Sequence, residues 1–215
     1  SPTTRLICLE NTHNFCQGSP LGQDYMSYVG DLAKNYGLKI HLDGARVFNA
    51  ATALKVPVTK LTEEADSVMF CLSKGLSAPV GSLVCGSSEF IGKARKMRKM
   101  VGGGMRQAGH LAAAGLVALQ ELVERLREDH KNTKLLAEGI VHLDGIELDE
   151  TQVKTNILFF KLTGMEGTKF LSELEKHQIK ILMTGKGTFR AVIHREVSKK
   201  QVETVIETIR LILRN

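Results

Sequence analysis

The chain has 215 residues, of which 43% are hydrophobic and 24% charged, a composition typical of a soluble globular protein with one large domain or a large and a small one. The net charge of +6 comes from basic residues spread along the chain, with one dense cluster at 93–99, and only 5% of the residues are aromatic. This pattern argues against a nucleic-acid-binding module. No apolar stretch approaches the roughly 18 residues of a membrane span. The four cysteines lack metal-ligand spacing and three lie in apolar strand-like runs, which predicts packed, reduced thiols and an intracellular protein, cytoplasmic or mitochondrial.

The first 90 residues alternate short apolar runs with helical patterns. Strands are predicted at 5–10, 38–43, 67–72 and 81–85, and an amphipathic helix at 21–36 ends at Gly37. This alternation favours an α/β fold with a largely parallel sheet, whose strands are buried on both faces. Only a turn-rich segment, 73–80, separates the last two strands, which is compatible with an antiparallel pair.

The second half of the chain begins with a long helical pattern. Residues 108–139 are predicted as one helical stretch that is rich in alanine at first and charged later, which is typical of a helix that leaves one core and bridges to another. Beyond it, the sequence predicts strands at 155–162, 180–183 and 188–194 and helices at 167–177 and 199–214. We therefore expect a large α/β domain over residues 1–125 and a small α+β domain over residues 126–215.

Reactive side chains follow three predicted strands of the first domain. Asp43 ends the second strand, Lys74 follows the third, and residues 10–13 (ENTH) end the first. The carboxyl ends of parallel strands meet at one edge of a sheet, where ligands bind. A lysine and an aspartate at that edge suit pyridoxal phosphate, which needs an amine for its aldehyde and a carboxylate that keeps its ring nitrogen protonated.

Simpler interpretations exist for each of these residues. Lys74 also fits a solvated turn, Asp43 before Gly44 is a strong turn dipeptide, and Arg46 fits a surface position. Three strand ends that all fit one cofactor are harder to explain by turns alone, so the combination favours a functional site.

Two further segments leave alternatives open. The triple glycine at 102–104, with Arg106 beyond it, is either a flexible hinge or a nest of backbone amides with an arginine directed at a phosphate. Arg190, in the predicted strand 188–194, either points to solvent or binds a carboxylate through its planar fork.

Four motifs resemble the low-specificity L-threonine aldolases, pyridoxal-phosphate enzymes of the aspartate-aminotransferase fold. They are residues 9–14 (LENTHN), 41–50 (HLDGARVFNA), 71–82 (CLSKGLSAPVGS) and 98–107 (RKMVGGGMRQ). They occur in order along the chain, with 31 residues from Asp43 to Lys74 (74 − 43). The resemblance implies a mainly parallel central sheet flanked by helices and a small α+β C-terminal domain.

The resemblance also implies roles around the cofactor. Lys74 would form the Schiff base, with Ser73 beside it in the cofactor site. Asp43 would pair with the ring nitrogen, and Arg46 would hydrogen-bond the ring hydroxyl oxygen.

Roles around the substrate follow from the same resemblance. Arg190 would bind the substrate carboxylate, and His13 is a second candidate catalytic residue. Arg106 and Lys99 would reach the phosphate or the active site of a neighbouring subunit, because the family assembles as dimers of dimers.

The implied reaction is the cleavage of L-threonine or L-allo-threonine to glycine and acetaldehyde. A transaminase or a β-eliminating lyase on the same fold is the alternative within pyridoxal-phosphate enzymes. The family's N-terminal segment, which supplies a glycine-rich phosphate cradle and a histidine stacked on the ring, has no match here. We therefore expect a truncated chain, and an inactive assembly partner is the alternative outside enzymes.

Overall fold

The sheet of the first unit has four strands of five residues each. In the computed structural model, which describes residues 2–214, these strands are β1 (Leu6–Glu10), β2 (Lys39–Asp43), β3 (Ser67–Cys71) and β4 (Ser82–Gly86). They lie in the order β1-β2-β3-β4; β2 is parallel to β1 and to β3, whereas β4 is antiparallel to β3. The predicted mainly parallel sheet and the antiparallel last pair are therefore confirmed.

Helices cover this sheet unevenly. They are α1 (Gln23–Tyr36), α2 (Val47–Leu54), α3 (Ser88–Met100) and α4 (Gly109–Glu121), with a 3-10 turn at Val58–Leu61. As predicted, α1 ends at Gly37, which adopts a left-handed conformation with φ of 62° and donates its N–H to the last-turn carbonyls. Val29 and Ala33 of α1 pack on Ile40 of β2, and α2 buries Val47 and Ala50 beside Leu42. Helices α1 and α2 thus hold β2 at residues 40 and 42.

A large apolar surface of the first unit is exposed. Every residue of β4 is exposed, and α3 buries none of its residues. The exposed apolar side chains of this region are Leu83, Val84, Phe90, Met97, Met100, Val101, Met105, Leu116 and Val117. Large apolar side chains that are exposed together on β4, α3, α4 and the segment between the two helices are typical of an interaction surface.

The second unit is an antiparallel sheet with helices. The strands are β5 (Ile146–Glu147), β6 (Ile157–Leu162), β7 (Leu182–Gly185) and β8 (Thr188–Val192), in the order β5-β6-β8-β7. Helices α5 (Leu126–Ile140), α6 (Gly167–Lys176) and α7 (Lys199–Arg214) belong to the same unit, with a short 3-10 helix at Glu150–Gln152. Phe160, Phe170 and Phe189 form the centre of its core, with ring centroids 5.2–6.3 Å apart.

The single helical stretch predicted over residues 108–139 is wrong, because the chain turns between α4 and α5. Arg125, just before α5, forms an ion pair with Asp129, which is fully buried. Burial raises the pKa of the Asp129 carboxyl, and the Arg125 guanidinium opposes that shift. The turn contains no glycine or proline, so the sequence carries no ordinary breaker signal there.

The two units interleave along the sequence. Among the described residues, the first comprises 2–13 and 20–124, and the second comprises 14–19 and 125–214. The sequence placed a boundary at 125/126 and gave no sign that residues 14–19 belong with the second unit.

The cysteine side chains differ from expectation. All four are free thiols, and Cys8 and Cys85 are exposed although they lie in strands. Their burial was wrongly expected, because β1 and β4 are the edge strands of the sheet and leave these positions uncovered.

Among residues 2–214, no helix combines the length and apolar character required to cross a bilayer.

Candidate active site

Asp43 is fixed at the end of β2 by its backbone and by its side chain. Its register partners are Glu10 on β1 and Met69 on β3. Its carbonyl oxygen accepts the Asn11 N–H at 2.8 Å, and its Oδ1 accepts the Ala45 N–H at 3.0 Å. The carboxylate is partly buried, and it is held at the edge of the sheet where the sequence predicted a ligand site.

Gly44 brings the turn after Asp43 against β3. Its N–H donates to the Met69 carbonyl at 2.7 Å, and a Cβ added to Gly44 would lie 2.8 Å from that same oxygen. Only glycine fits this approach without a shift of the backbone. Two residues later, the partly buried Arg46 precedes α2, so its side chain starts from the same edge as Asp43.

Lys74 lies in a tightly closed loop after β3. The Leu72 N–H donates to the Gly81 carbonyl at 2.9 Å, and the Ala78 N–H donates to the Leu72 carbonyl at 3.0 Å. The side chain of Leu72 packs against Gly115 of α4, where an added Cβ would lie 3.0 Å from Leu72 Cδ1. The loop base is therefore rigid.

The tip of this loop presents the amine. Ser73 and Lys74 are both exposed, and the Ser77 N–H donates to the Lys74 carbonyl at 2.9 Å. The Lys74 side-chain nitrogen forms no ion pair with any residue in the range 2–214. Its amine is accessible for reaction with an aldehyde.

The segment that follows β1 is anchored by Asn11. The fully buried Asn11 side chain donates to the Leu21 carbonyl and accepts the Leu21 N–H, both at 3.0 Å. His13 follows, with Nε2 3.3 Å from Glu10 Oε2. The candidate residue His13 therefore lies beyond the end of β1, at the same edge as Asp43 and Lys74.

His41 shares the face of β2 that carries Asp43, as the strand period predicts. Its Nδ1 is 2.8 Å from Ser67 Oγ on β3. This contact fixes the imidazole and links β2 to β3 two residues before Asp43.

Lys99 and Arg106 lie elsewhere in the first unit, in and after the last turn of α3. The Lys99 stem lies against Gly104, whose added Cβ would be 3.0 Å from Lys99 Cδ. The Gly103 N–H donates to the Arg98 carbonyl at 2.8 Å, which orders the triple glycine. Both cations are exposed, and neither forms an ion pair within the described chain.

Arg190 belongs to the second unit, on the inner strand β8. Its Nη1 donates to Asn14 Oδ1 at 2.8 Å, and its Nε is buried without a hydrogen-bond partner among residues 2–214. The structure thus gathers Asp43, Arg46, Lys74 and His13 at one sheet edge, while Arg190 is held in the second unit.

Sequence reasoning missed two asparagines near this region. Asn11 and Asn14 both lie in the motif at residues 9–14, but neither received a role of its own. The Asn11 contact spans 10 residues and the Asn14 contact spans 176, so local sequence spacing does not reveal either partner.

The family model of beta-eliminating lyases matches residues 1–163. A protein of Arabidopsis thaliana named low-specificity L-threonine aldolase 1 is 48% identical over 204 residues, which cover 94% of this chain and 57% of that protein. The chain therefore spans little more than half the length of this curated relative.

Solved structures establish the fold. A threonine aldolase from Leishmania major has a TM-score of 0.77 and 18% identity, covering 97% of this chain and 61% of that one. A PLP-dependent aminotransferase from Streptococcus suis has a TM-score of 0.75 and 21% identity, covering 100% of this chain and 58% of that one. The predicted aminotransferase-like fold is confirmed, and the match of the family model over most of the sequence shows that the chain belongs to the beta-eliminating lyase family.

Proposed function

We propose that the protein is a pyridoxal-phosphate-dependent aldolase that cleaves L-threonine or L-allo-threonine to glycine and acetaldehyde. The observation that carries this proposal is the placement of Asp43 and Lys74 at the carboxyl ends of two neighbouring parallel strands, β2 and β3. The Arabidopsis relative named as a threonine aldolase supports the choice of reaction.

The residues at the sheet edge fit the cofactor. The accessible Lys74 amine would hold its aldehyde carbon, and the Asp43 carboxylate, fixed through Ala45, would keep its ring nitrogen protonated. Arg46 would donate to the ring hydroxyl oxygen, and Ser73 would contact the cofactor beside Lys74. When bound, pyridoxal phosphate supplies an electron sink for the pair released when a bond to the substrate Cα breaks.

The remaining candidates would act on the substrate. The Arg190 guanidinium would bind the carboxylate and thereby fix which Cα bond is set for cleavage. His13, held next to Glu10, is proposed to act near the reacting hydroxyl. Cleavage requires that a base take the β-hydroxyl proton as the Cα–Cβ bond breaks; acetaldehyde leaves, and Cα then takes a proton to give glycine.

Borohydride trapping tests the cofactor site. The protein is incubated with pyridoxal phosphate, reduced and digested, and we expect one reduced adduct on the peptide that contains Lys74. Lys74→Ala should abolish the adduct. Lys93→Ala, which removes an exposed lysine of α3, should retain it. An equal adduct in Lys74→Ala would refute the assignment.

β-Elimination is the second candidate, because the family model that matches residues 1–163 is that of beta-eliminating lyases. From threonine, elimination of water and hydrolysis of the enamine would release ammonia and 2-oxobutanoate, whereas aldol cleavage releases glycine and acetaldehyde. Measurement of both product pairs from one incubation with threonine separates the two reactions. We expect glycine and acetaldehyde in equal amounts and no 2-oxobutanoate.

We also propose that the protein forms homo-oligomers, dimers of dimers, in which Arg106 and Lys99 contribute to a neighbouring subunit's site. The exposed apolar surface of β4, α3 and α4 and the exposure of both cations support this.

The four free thiols favour a reducing, intracellular compartment. If residues 1–215 alone trap no cofactor but co-purify with a longer product of the same gene that does, the shorter chain is an assembly partner.

A further inference from the structure

Asn14 holds the guanidinium of Arg190 in place. Asn14 Oδ1 accepts from Arg190 Nη1 at 2.8 Å in a partly buried setting, although the two residues are 176 positions apart in sequence. Arg190 Nε is buried and has no acceptor in the described chain. A buried N–H without an acceptor lowers the stability of the folded protein. The protein therefore holds the Arg190 side chain in this place in spite of that cost.

Both ends of this contact are rigid. Arg190 lies on β8 between β6 and β7, opposite Phe159 and Leu182, and its chain neighbour Phe189 is fully buried. A free arginine side chain loses considerable rotamer entropy when it binds a ligand, and a guanidinium fixed beforehand loses less.

The segment that carries Asn14 is also anchored. The hydroxyl of buried Thr155 donates to the Gly18 carbonyl at 2.8 Å, and the Ser19 N–H donates to the Cys16 carbonyl at 3.0 Å. A Cβ on Gly18 would lie 2.5 Å from Thr155 Oγ1, so the two segments pack closely. Residues 14–19 therefore form a support whose first residue contacts Arg190.

We propose that Asn14 is a positioning residue that sets the plane of the Arg190 guanidinium for the carboxylate of an amino-acid substrate. The inference rests on the proposed function of Arg190 as the carboxylate-binding residue. Asn14 Oδ1 accepts a hydrogen bond from Nη1, and this contact would keep the remaining N–H groups of Nη1 and Nη2 in a fixed orientation toward the ligand. Asn14 acts only through Arg190.

The experiment compares two ligands that differ in the carboxylate. The whole protein as its gene encodes it is loaded with pyridoxal phosphate, and dissociation constants for glycine and methylamine are measured from the change in cofactor absorbance. We expect Asn14→Ala to weaken glycine binding about tenfold, typical of a lost hydrogen bond to a charged group, and to leave methylamine binding unchanged. Cys16→Ala, an exposed change in the same segment, should leave both constants unchanged.

A double-mutant cycle isolates the positioning role. In an Arg190→Ala background, Asn14→Ala should have no further effect on glycine binding. If Asn14→Ala lowers the folded yield, Asn14→Leu fills a similar volume without an acceptor and tests the same point.

Some outcomes would overturn the role of Asn14, and a different outcome would overturn the proposed role of Arg190. Equal weakening of glycine and methylamine, or a persistent effect of Asn14→Ala in the Arg190→Ala background, would show a merely structural role. Unchanged glycine binding in both Asn14 variants, with a loss in Arg190→Ala, would overturn the role of Asn14 alone. If Arg190→Ala keeps the wild-type preference for glycine over methylamine, the proposed role of Arg190 fails as well.

Discussion

Gly44 donates its N–H to the carbonyl oxygen of Met69 at 2.7 Å, and this contact joins the turn after Asp43 to the strand that leads to Lys74. The same oxygen would lie 2.8 Å from a Cβ on Gly44, and Val47 Cβ would lie 3.0 Å from it. Because residue 44 has no Cβ, the turn after Asp43 can approach β3 this closely. This close approach helps to set the distance between Asp43 and Lys74.

Gly44→Ala should destabilise the protein by about 1–3 kcal/mol, because the added methyl meets backbone that cannot move freely. Gly92→Ala is the matched control: it lies inside α3 with no atom within 4 Å of its added Cβ, and helix propensity predicts a gain of up to about 1 kcal/mol. Urea unfolding measures both values. Equal effects in the two variants would contradict the close-approach argument.

Asp43→Asn should lower activity by about 100-fold or more, the usual cost of removing one preorganised electrostatic group. The amide oxygen can still accept the Ala45 N–H, so the turn should be retained, but a neutral amide no longer favours a protonated ring nitrogen. Steady-state kinetics and a melting curve give the two readouts. Asp31→Asn on the exposed face of α1 should change neither, and near-wild-type activity in Asp43→Asn would rule out the assigned role.

Mixed oligomers test whether subunits share sites. If Lys74 of one subunit works with Arg106 of its neighbour, Lys74→Ala and Arg106→Ala proteins should each be nearly inactive. Unfolding and refolding them together at equal ratio should restore roughly a quarter of the sites, since half of the dimers are mixed and each mixed dimer has one intact site of two. No recovery after mixing would place both residues in the same subunit's site.

His130 on α5 predicts a loss of stability in mild acid. Burial lowers its pKa from 6.5 to about 4, so the folded protein keeps the imidazole neutral. The unfolded chain binds the proton first as the pH falls; the contribution is complete above pH 6.5 and is lost toward pH 4. Between about pH 7.5 and about pH 5 the loss should be about 2 kcal/mol.

Urea unfolding at these two pH values measures the effect. His130→Gln should lose less stability on acidification than the wild type. His142→Gln removes an exposed histidine of the same unit and should behave like the wild type. An acid loss in His130→Gln as large as in the wild type would assign the effect to other groups.

The sheet and the placement of Asp43 and Lys74 at one of its edges could be predicted from sequence because their signals are local. Buried strands give continuous apolar runs, Gly37 marks the end of α1, and Asp43 and Lys74 stand directly at or after strand ends. Each of these features depends on a few neighbouring residues.

The break between α4 and α5 and the second-unit segment 14–19 escaped prediction for the opposite reason. At the break, Asp129 becomes buried beside Arg125, while the helical pattern of the sequence runs on without interruption. The segment is placed by long-range contacts, from Thr155 to Gly18 and from Arg190 to Asn14. Neither contact leaves a periodic trace in the sequence.

The interleaving of the two units limits how this protein can be divided. A gene fragment that encodes residues 125–215 would produce β8 and Arg190 but not Asn14, and it would leave Thr155 without the Gly18 carbonyl. The second unit therefore cannot be transferred as one continuous segment. Recombination at the 124/125 junction would separate Arg190 from Asn14. A chimeric protein would have to receive residues 14–19 together with the segment that begins at residue 125.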